Sequence, residues 1–182
     1  VKRGKGPPIG AATHSTYLAD ARHSGLLIQY YSQLTPENAG KYDFVYNYGW
    51  QALDEIMAFA AVNSLPVHYH CLRWYWGIQP INIEGWITQA MTRYPMIADW
   101  DVVNEGWDGY GNPTIGEIEE SYRIARQVRP DARLWYNGIL RYPAEWDHVK
   151  ALIEAGLCDA VGIQMHHDLR EVCYLYEPFC QW

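Results

Sequence analysis

Glu105 closes the run WDVVNE, Trp100 to Glu105, directly after Asn104, and the segment GWDGYG that follows is rich in rings and turn residues. A carboxylate at the end of an apolar strand, beside Trp107 and Tyr110, is the kind of group that general acid catalysis uses, because rings displace water and help the carboxyl keep its proton. The bland alternative is a strand-end glutamate paired with a neighbouring Lys or Arg. Glu37 and Asn38, with Lys41 close behind, offer charged and neutral hydrogen-bonding groups suited to a hydroxyl-bearing ligand. Thr35-Pro36-Glu37 is also an ordinary helix-start sequence. His68 and His70 stand two apart, so on a strand they point to one side and could share a metal with His166. Otherwise they are one structural histidine and one polar contact. Trp74, Trp76, Trp107 and Tyr136 could stack on a flat ligand or belong to core and rim. No Gly-x-Ser-x-Gly and no catalytic cysteine pattern occurs, so serine or thiol nucleophiles have no support.

The elements that must position these residues alternate. Strands are expected at 7–13, 26–34, 65–74, 100–104, 132–138 and 159–166. Helices are expected at 16–25, ended by Gly25; at 50–63, with Leu53, Ile56, Met57 and Ala60 on one face; and at 82–94, capped by Asn82. Two more follow at 115–128, opened by a Thr114/Glu117 capping box, and from Pro143 to just before Gly156. Strand–helix alternation without hairpin signals indicates a parallel α/β sheet. The first strand lacks the glycine-rich phosphate loop of a doubly wound sheet. Polar residues instead recur at strand ends: Glu37 and Asn38, His70, Asn104 and Glu105, Asn137, Gln164 and His166. That recurrence favours a (β/α)8 barrel, whose chemistry sits at the C-terminal ends of its strands.

The chain has 182 residues and a net charge of -7, with no Lys/Arg block, which argues against a nucleic-acid partner or an anionic membrane surface. No window has the roughly 20 apolar residues of a membrane span. Nine Trp and 15 Tyr against three Phe favour rings with a polar handle, as a surface that stacks on hydroxylated ligands requires. Cys71 and Cys158 read as buried thiols. Cys173 and Cys180 flank a short aromatic tail and could close a small disulfide loop, which hints at an oxidising compartment.

Taken in order, the motifs resemble the family 10 glycoside hydrolases, whose main activity is endo-β-1,4-xylanase. WDVVNE resembles that family's acid/base motif, and TPENAGKY its Thr-Pro-Glu-Asn-x-x-Lys-Trp segment. HYHCLRWY, LWYNG and VGIQMH are similar to Arg-Gly-His-x-Leu-x-Trp-His, Leu-Tyr-Tyr-Asn-Asp and Gly-Ile-Gly-Leu-Gln-x-His. The resemblance implies an α/β fold of the (β/α)8 TIM-barrel type, with this chain covering about the first six βα units as one partial domain, 1–182. It implies Glu105 as general acid/base of a retaining mechanism and Asn104 on the sugar 2-hydroxyl. His70 and Trp74 would line that subsite, and Glu37, Asn38 and Lys41 would contact xylose units on the non-reducing side. Gln164 and His166 would lie around the nucleophile, and Tyr136 in LWYNG completes the expected substrate-binding set. The implied partner is xylan or its oligosaccharides, with no cofactor and a secreted, extracellular location, although no signal peptide is visible.

Departures are specific. His68 replaces Arg, Tyr69 replaces Gly, Tyr75 replaces a second His, and Gly138 stands where Asp is usual. The Thr-Glu-Leu-Asp segment that carries the nucleophile on strand seven has no counterpart, and the later glutamates Glu171 and Glu177 lie in unrelated contexts. Six strands would leave open edges and apolar faces. The expectation is therefore a partial gene, completion by a second polypeptide or by self-association, or a tail that covers the gap with Tyr174, Leu175, Tyr176, Phe179 and Trp182. A binding-only barrel fragment and a metal hydrolase using His68, His70 and His166 are the alternative functions.

Overall fold

Order along the chain and order in space coincide. The computed structural model describes residues 9–107, 113–140 and 142–164. β1 (Gly10–Thr13) pairs in parallel with β2 (Gln33–Pro36). A parallel bridge from Leu34 to Val67 leads to the third position of the wall. That position consists of two short pieces, β3 (His68–Tyr69) and β4 (Arg73–Trp74), both paired in parallel with β5 (Asp99–Asn104). β6 (Arg133–Gly138) lies on β5, and β7 (Ala160–Ile163) lies on β6. Helices α1 (Ala21–Tyr30), α2 (Tyr42–Tyr48), α3 (Gln51–Val62), α4 (Ile83–Arg93), α5 (Ile115–Val128) and α6 (Pro143–Glu154) fill the crossovers. A doubly wound sheet reverses its strand order at a switch point; no reversal occurs among the described strands. Sequential parallel winding is the construction of a barrel wall.

The core lies between the outer face of this wall and the helices. Trp100, Val102, Leu134 and Tyr136 from the strands are buried with Ile87, Ala90 and Met91 of α4, Ile118, Tyr122 and Ala125 of α5, and Val149 and Leu152 of α6. Strand β6 shows the alternation plainly: Leu134, Tyr136 and Gly138 are buried, while Trp135 and Asn137 are half-buried on the other face. Helix starts follow the sequence signals. The Asn82 side chain accepts from the Gly85 amide at 2.9 Å. Thr114 and Glu117 cap α5 reciprocally. Pro143 occupies the first turn of α6, and Gly156, at φ +69°, follows its end.

Several expected elements differ. The apolar run at 26–30 is helical, because Asp20 caps α1 by accepting from the amides of Arg22 and His23, and the helix continues through Gly25 to Tyr30. A short continuous apolar run does not separate a strand from a helix; here Leu27 alone of that turn is buried, and Leu26, Ile28 and Tyr30 are exposed. The second strand consequently starts at Gln33 and takes in Thr35 and Pro36. Helix α2 occupies a stretch with no sequence assignment, and the single strand at 65–74 is two pieces. Cys71 and Cys158 are buried free thiols, as expected. Cys173, Cys180 and the aromatic tail lie outside the described residues.

The capping box gives a direct stability test. Thr114→Ala removes a side-chain acceptor for the Glu117 amide and a partner of its carboxylate, so urea unfolding should show a loss of about 1 kcal/mol with an unchanged m-value.

Candidate active site

The site begins with an irregularity in β5. Asp101 pairs with Trp135, but Val103 pairs with Tyr136, so Val102 is an extra residue. In a regular strand Asp101 and Val103 would share one face and Val102 and Asn104 the other. The extra residue turns Val103 outward, into line with Tyr136, and brings Asn104 inward beside Asn137. Glu105 follows at φ +54°, with its amide donating to the Asn137 carbonyl at 2.8 Å. A residue with a Cβ held in the left-handed region costs of order ~1 kcal/mol, and such residues persist where the surroundings over-determine them.

Inward side chains of β1 to β6, the loop after β2, and the residues that follow β5 and β7 line a cleft of about 540 Å³. Glu37, Asn38, Lys41, His68, His70, Trp74, Asn104, Glu105 and Gln164 all line it. All but His68 are site residues that the family resemblance implies; His68 is expected only as a metal ligand in the alternative reading. The cleft's C-terminal-end location follows from the parallel winding. Within it the polar groups are linked. Lys41, nearly buried, donates from Nζ to Asn38 Oδ1 at 2.9 Å and rests 4.0 Å from the Trp74 ring centroid, a cation–π contact. Trp74 donates its indole N–H to Glu105 Oε2 at 2.8 Å. Gln164 donates its amide to Asn104 Oδ1 at 2.8 Å and to Asn137 Oδ1 at 2.6 Å.

Asn137, expected only as a strand-end polar residue, and Asp101, which no motif singles out, also line the cleft. The signal for Asp101 was present: Trp100 and Val102 are apolar and Asp99 and Asp101 polar, a period of two that sends Asp101 inward. Its carboxylate holds both histidines, Oδ1 at 2.8 Å from His68 Nε2 and Oδ2 at 2.7 Å from His70 Nδ1. Burial opposes charge on both partners, yet the hydrogen bonds and mutual attraction outweigh it. His68 is pushed above its ordinary pKa, and Asp101 below its own. The two imidazoles therefore serve a carboxylate, and among the described residues no group of three His, Cys, Asp or Glu side chains forms a metal-binding set.

Tyr136 is not with the other candidates. It lies fully buried on the outer face of β6, and its hydroxyl donates to Glu145 Oε1 of α6 at 2.8 Å. Neighbouring Asn137 faces the cleft instead, as strand alternation requires. His166, Tyr110, Glu171 and Glu177 lie outside the described residues. No described helix is long and apolar enough to cross a membrane.

Comparison with known proteins agrees with this geometry. The family model described as glycosyl hydrolase family 10 matches residues 1–177. The chain is 33% identical over 169 residues to an endo-1,4-beta-xylanase B of Cellvibrio japonicus, covering 76% of this chain and 27% of that protein. It is 29% identical to a beta-1,4-xylanase of Dictyoglomus thermophilum, covering 88% of this chain and 54% of that one. The chain thus spans between about a quarter and about half the length of these relatives. The structure of a Thermobacillus composti GH10 xylanase superposes with a TM-score of 0.79 at 25% identity, covering 96% of this chain and 64% of that one. The fold is that of a (β/α)8 barrel, of which the described strands form a part.

The Asp101 pair of contacts carries a pH signature. The raised His68 pKa contributes stability that is complete below the ordinary value of 6.5 and is lost as pH rises through the folded value. The lowered Asp101 pKa contributes stability present above the ordinary 3.8 and lost as pH falls through the folded value. Asp101→Asn should therefore destabilise most between these limits, by about 3 kcal/mol near pH 5. Melting curves of both proteins at pH 5 and pH 9 should show a smaller gap at pH 9.

Proposed function

The chain belongs to glycosyl hydrolase family 10, and from that premise we propose that it hydrolyses β-1,4-xylosidic bonds within xylan with retention of configuration, Glu105 acting as general acid/base. The observation that carries this reading is the joining of Glu105, Trp74, Lys41 and Asn38 in one polar cleft with Asn104 and Gln164 beside it. The similar proteins are xylanases, which supplies the substrate class.

The residues divide the work. Trp74 holds Oε2 of Glu105, which leaves the other oxygen to deliver a proton to the glycosidic oxygen as the bond breaks and later to draw one from water. Gln164 occupies Oδ1 of Asn104, so the amide hydrogens of Asn104 are the groups that meet a sugar hydroxyl at the cleavage point. Glu37, Asn38 and Lys41 hold the next sugars on the non-reducing side. His70, fixed by Asp101, lines the subsite at the scissile bond. His166 belongs with the residues around the nucleophile. A retaining reaction needs a second carboxylate about 5 Å from the acid. Asp101 is engaged by imidazoles at both oxygens, and Glu37 belongs to the sugar-binding end, so the nucleophile is assigned to neither. Xylan is an extracellular polymer, and the protein is accordingly assigned outside the cell, as one partial TIM-barrel catalytic domain.

A second reading rests on the polar cleft alone: the chain binds xylo-oligosaccharides through Glu37, Asn38, Lys41, His70 and Trp74, and cleavage requires a complementing chain. Calorimetry with xylotriose beside an assay on phenyl β-xylobioside separates the two. Binding with turnover supports the hydrolase, and binding without turnover supports the fragment.

For the hydrolase, Glu105→Gln should lower kcat/KM on phenyl β-xylobioside by at least about 10²-fold while leaving xylotriose affinity within about threefold. Undiminished turnover in this variant removes Glu105 from the acid's role.

A further inference from the structure

Behind the cleft, on the helix side of the sheet, the turn that carries Glu105 packs over a buried, hydrogen-bonded side-chain pair. Gly106 is buried and sits against three groups: a Cβ built on it would stand 2.9 Å from Val103 Cγ1, 3.3 Å from Ile118 Cδ1 and 3.3 Å from the Tyr136 hydroxyl. The Tyr136 hydroxyl is itself fixed, donating to Glu145 Oε1 at 2.8 Å. Glu145 is 1% exposed and lies in the first turn of α6, where the helix dipole favours a negative charge. One turn further on, His148 is buried, and its ring lies 6.3 Å from that of Trp107, the residue after Gly106. The turn thus meets α6 directly through Trp107 and His148, and indirectly where Gly106 packs over the Tyr136 hydroxyl that Glu145 holds.

Gly138 explains how the carboxylate of Glu145 fits. A Cβ there would stand 2.8 Å from Glu145 Oε1 and 2.8 Å from Tyr136 Cε1. The aspartate usual at this position in the resembled motif is incompatible with Glu145 in its present place. A phenylalanine at 136 and an apolar residue at 145 would fill the same space without desolvating a carboxylate, so the polar pair is costly for packing alone.

We infer that Tyr136 and Glu145 are positioning residues for Glu105: the carboxylate from α6, acting through the Tyr136 hydroxyl, pins the Gly106 turn that aims the general acid. Its catalytic consequence rests on the role proposed for Glu105; its mechanical consequence does not. Tyr136 touches no cleft residue's substrate side. It acts through the left-handed turn at Glu105, whose conformation is strained and needs an external hold.

The test uses the full chain and the variants Tyr136→Phe and Glu145→Gln, which keep shape and volume. Amide hydrogen exchange comes first, because it needs no activity. Exchange at Glu105 and Gly106 should accelerate several-fold in both variants as the packing under the turn loosens, with Val102 and Leu134 unchanged. Unchanged exchange at Glu105 and Gly106, or equal acceleration along all of β5 and β6, overturns the proposal. Kinetics follow. With phenyl β-xylobioside, whose leaving group needs a proton, kcat/KM should fall about tenfold. With 2,4-dinitrophenyl β-xylobioside, whose leaving group needs none, it should stay within about twofold. Equal losses on both substrates overturn the proposal, since a merely structural role reduces both alike. If the unmodified chain cleaves neither substrate, the hydrolase reading fails and the exchange result decides the positioning role alone.

Discussion

One extra residue in β5 governs the site. Because side chains alternate along a strand, a regular β5 carrying Asp101 inward would have sent Asn104 outward into the helix layer. The irregularity at Val102 resets the alternation between the two. Asp101 therefore faces the barrel interior below, Val102 and Val103 are both fully buried in the wall, and Asn104 faces the cleft above. Everything assigned to the cleft floor depends on this reset: the Gln164 bridge to Asn104 and Asn137, the amide of Glu105 on the Asn137 carbonyl, and the left-handed turn by which the chain leaves the sheet.

The interior then needs to satisfy the polar groups that the wall brings in. A buried carboxylate is costly unless its oxygens are engaged, and Asp101 engages both with imidazoles. Lys41, nearly buried as well, gains Asn38 as acceptor and the face of Trp74. Trp74 passes the constraint on to Glu105. The chain of contacts runs from the loop after β2, across β4, to the end of β5, and a second runs from β7 to β5 and β6 through Gln164. Each link fixes a side chain at a set geometry, which is how a site on strand ends gains precision.

Much of this was legible in the sequence, and the reasons for success and failure are physical. Parallel winding followed from strand–helix alternation, and the caps at Asn82, Thr114 and Pro143 were read from side-chain chemistry that acts over three or four residues. The run from Leu26 to Tyr30 was misread because apolar character without period decides nothing, whereas Asp20, just upstream, carried the deciding signal as a helix cap. Tyr136 and Asn137 were weighted in the wrong order because a ring attracts attention and alternation does not. Glu145 was invisible as a site residue: its burial depends on Gly138, and that contact crosses between β6 and α6 with no local pattern to announce it.

The four motif departures point the same way once their neighbours are known. Tyr69, in place of glycine, stacks 4.4 Å from Trp100 and donates its hydroxyl to the Gly40 carbonyl at 2.6 Å, tying the third strand to the loop after β2. Tyr75, in place of histidine, lies under the Arg73 guanidinium at 4.6 Å. Gly138 yields its volume to the Glu145 carboxylate. His68, in place of arginine, keeps a cationic partner beside Asp101 but changes its character. An arginine there would be charged at every working pH, while an imidazole is charged only below its raised pKa. The carboxylate that holds His68 on one oxygen holds His70 on the other, so both imidazoles of the barrel interior share one anchor.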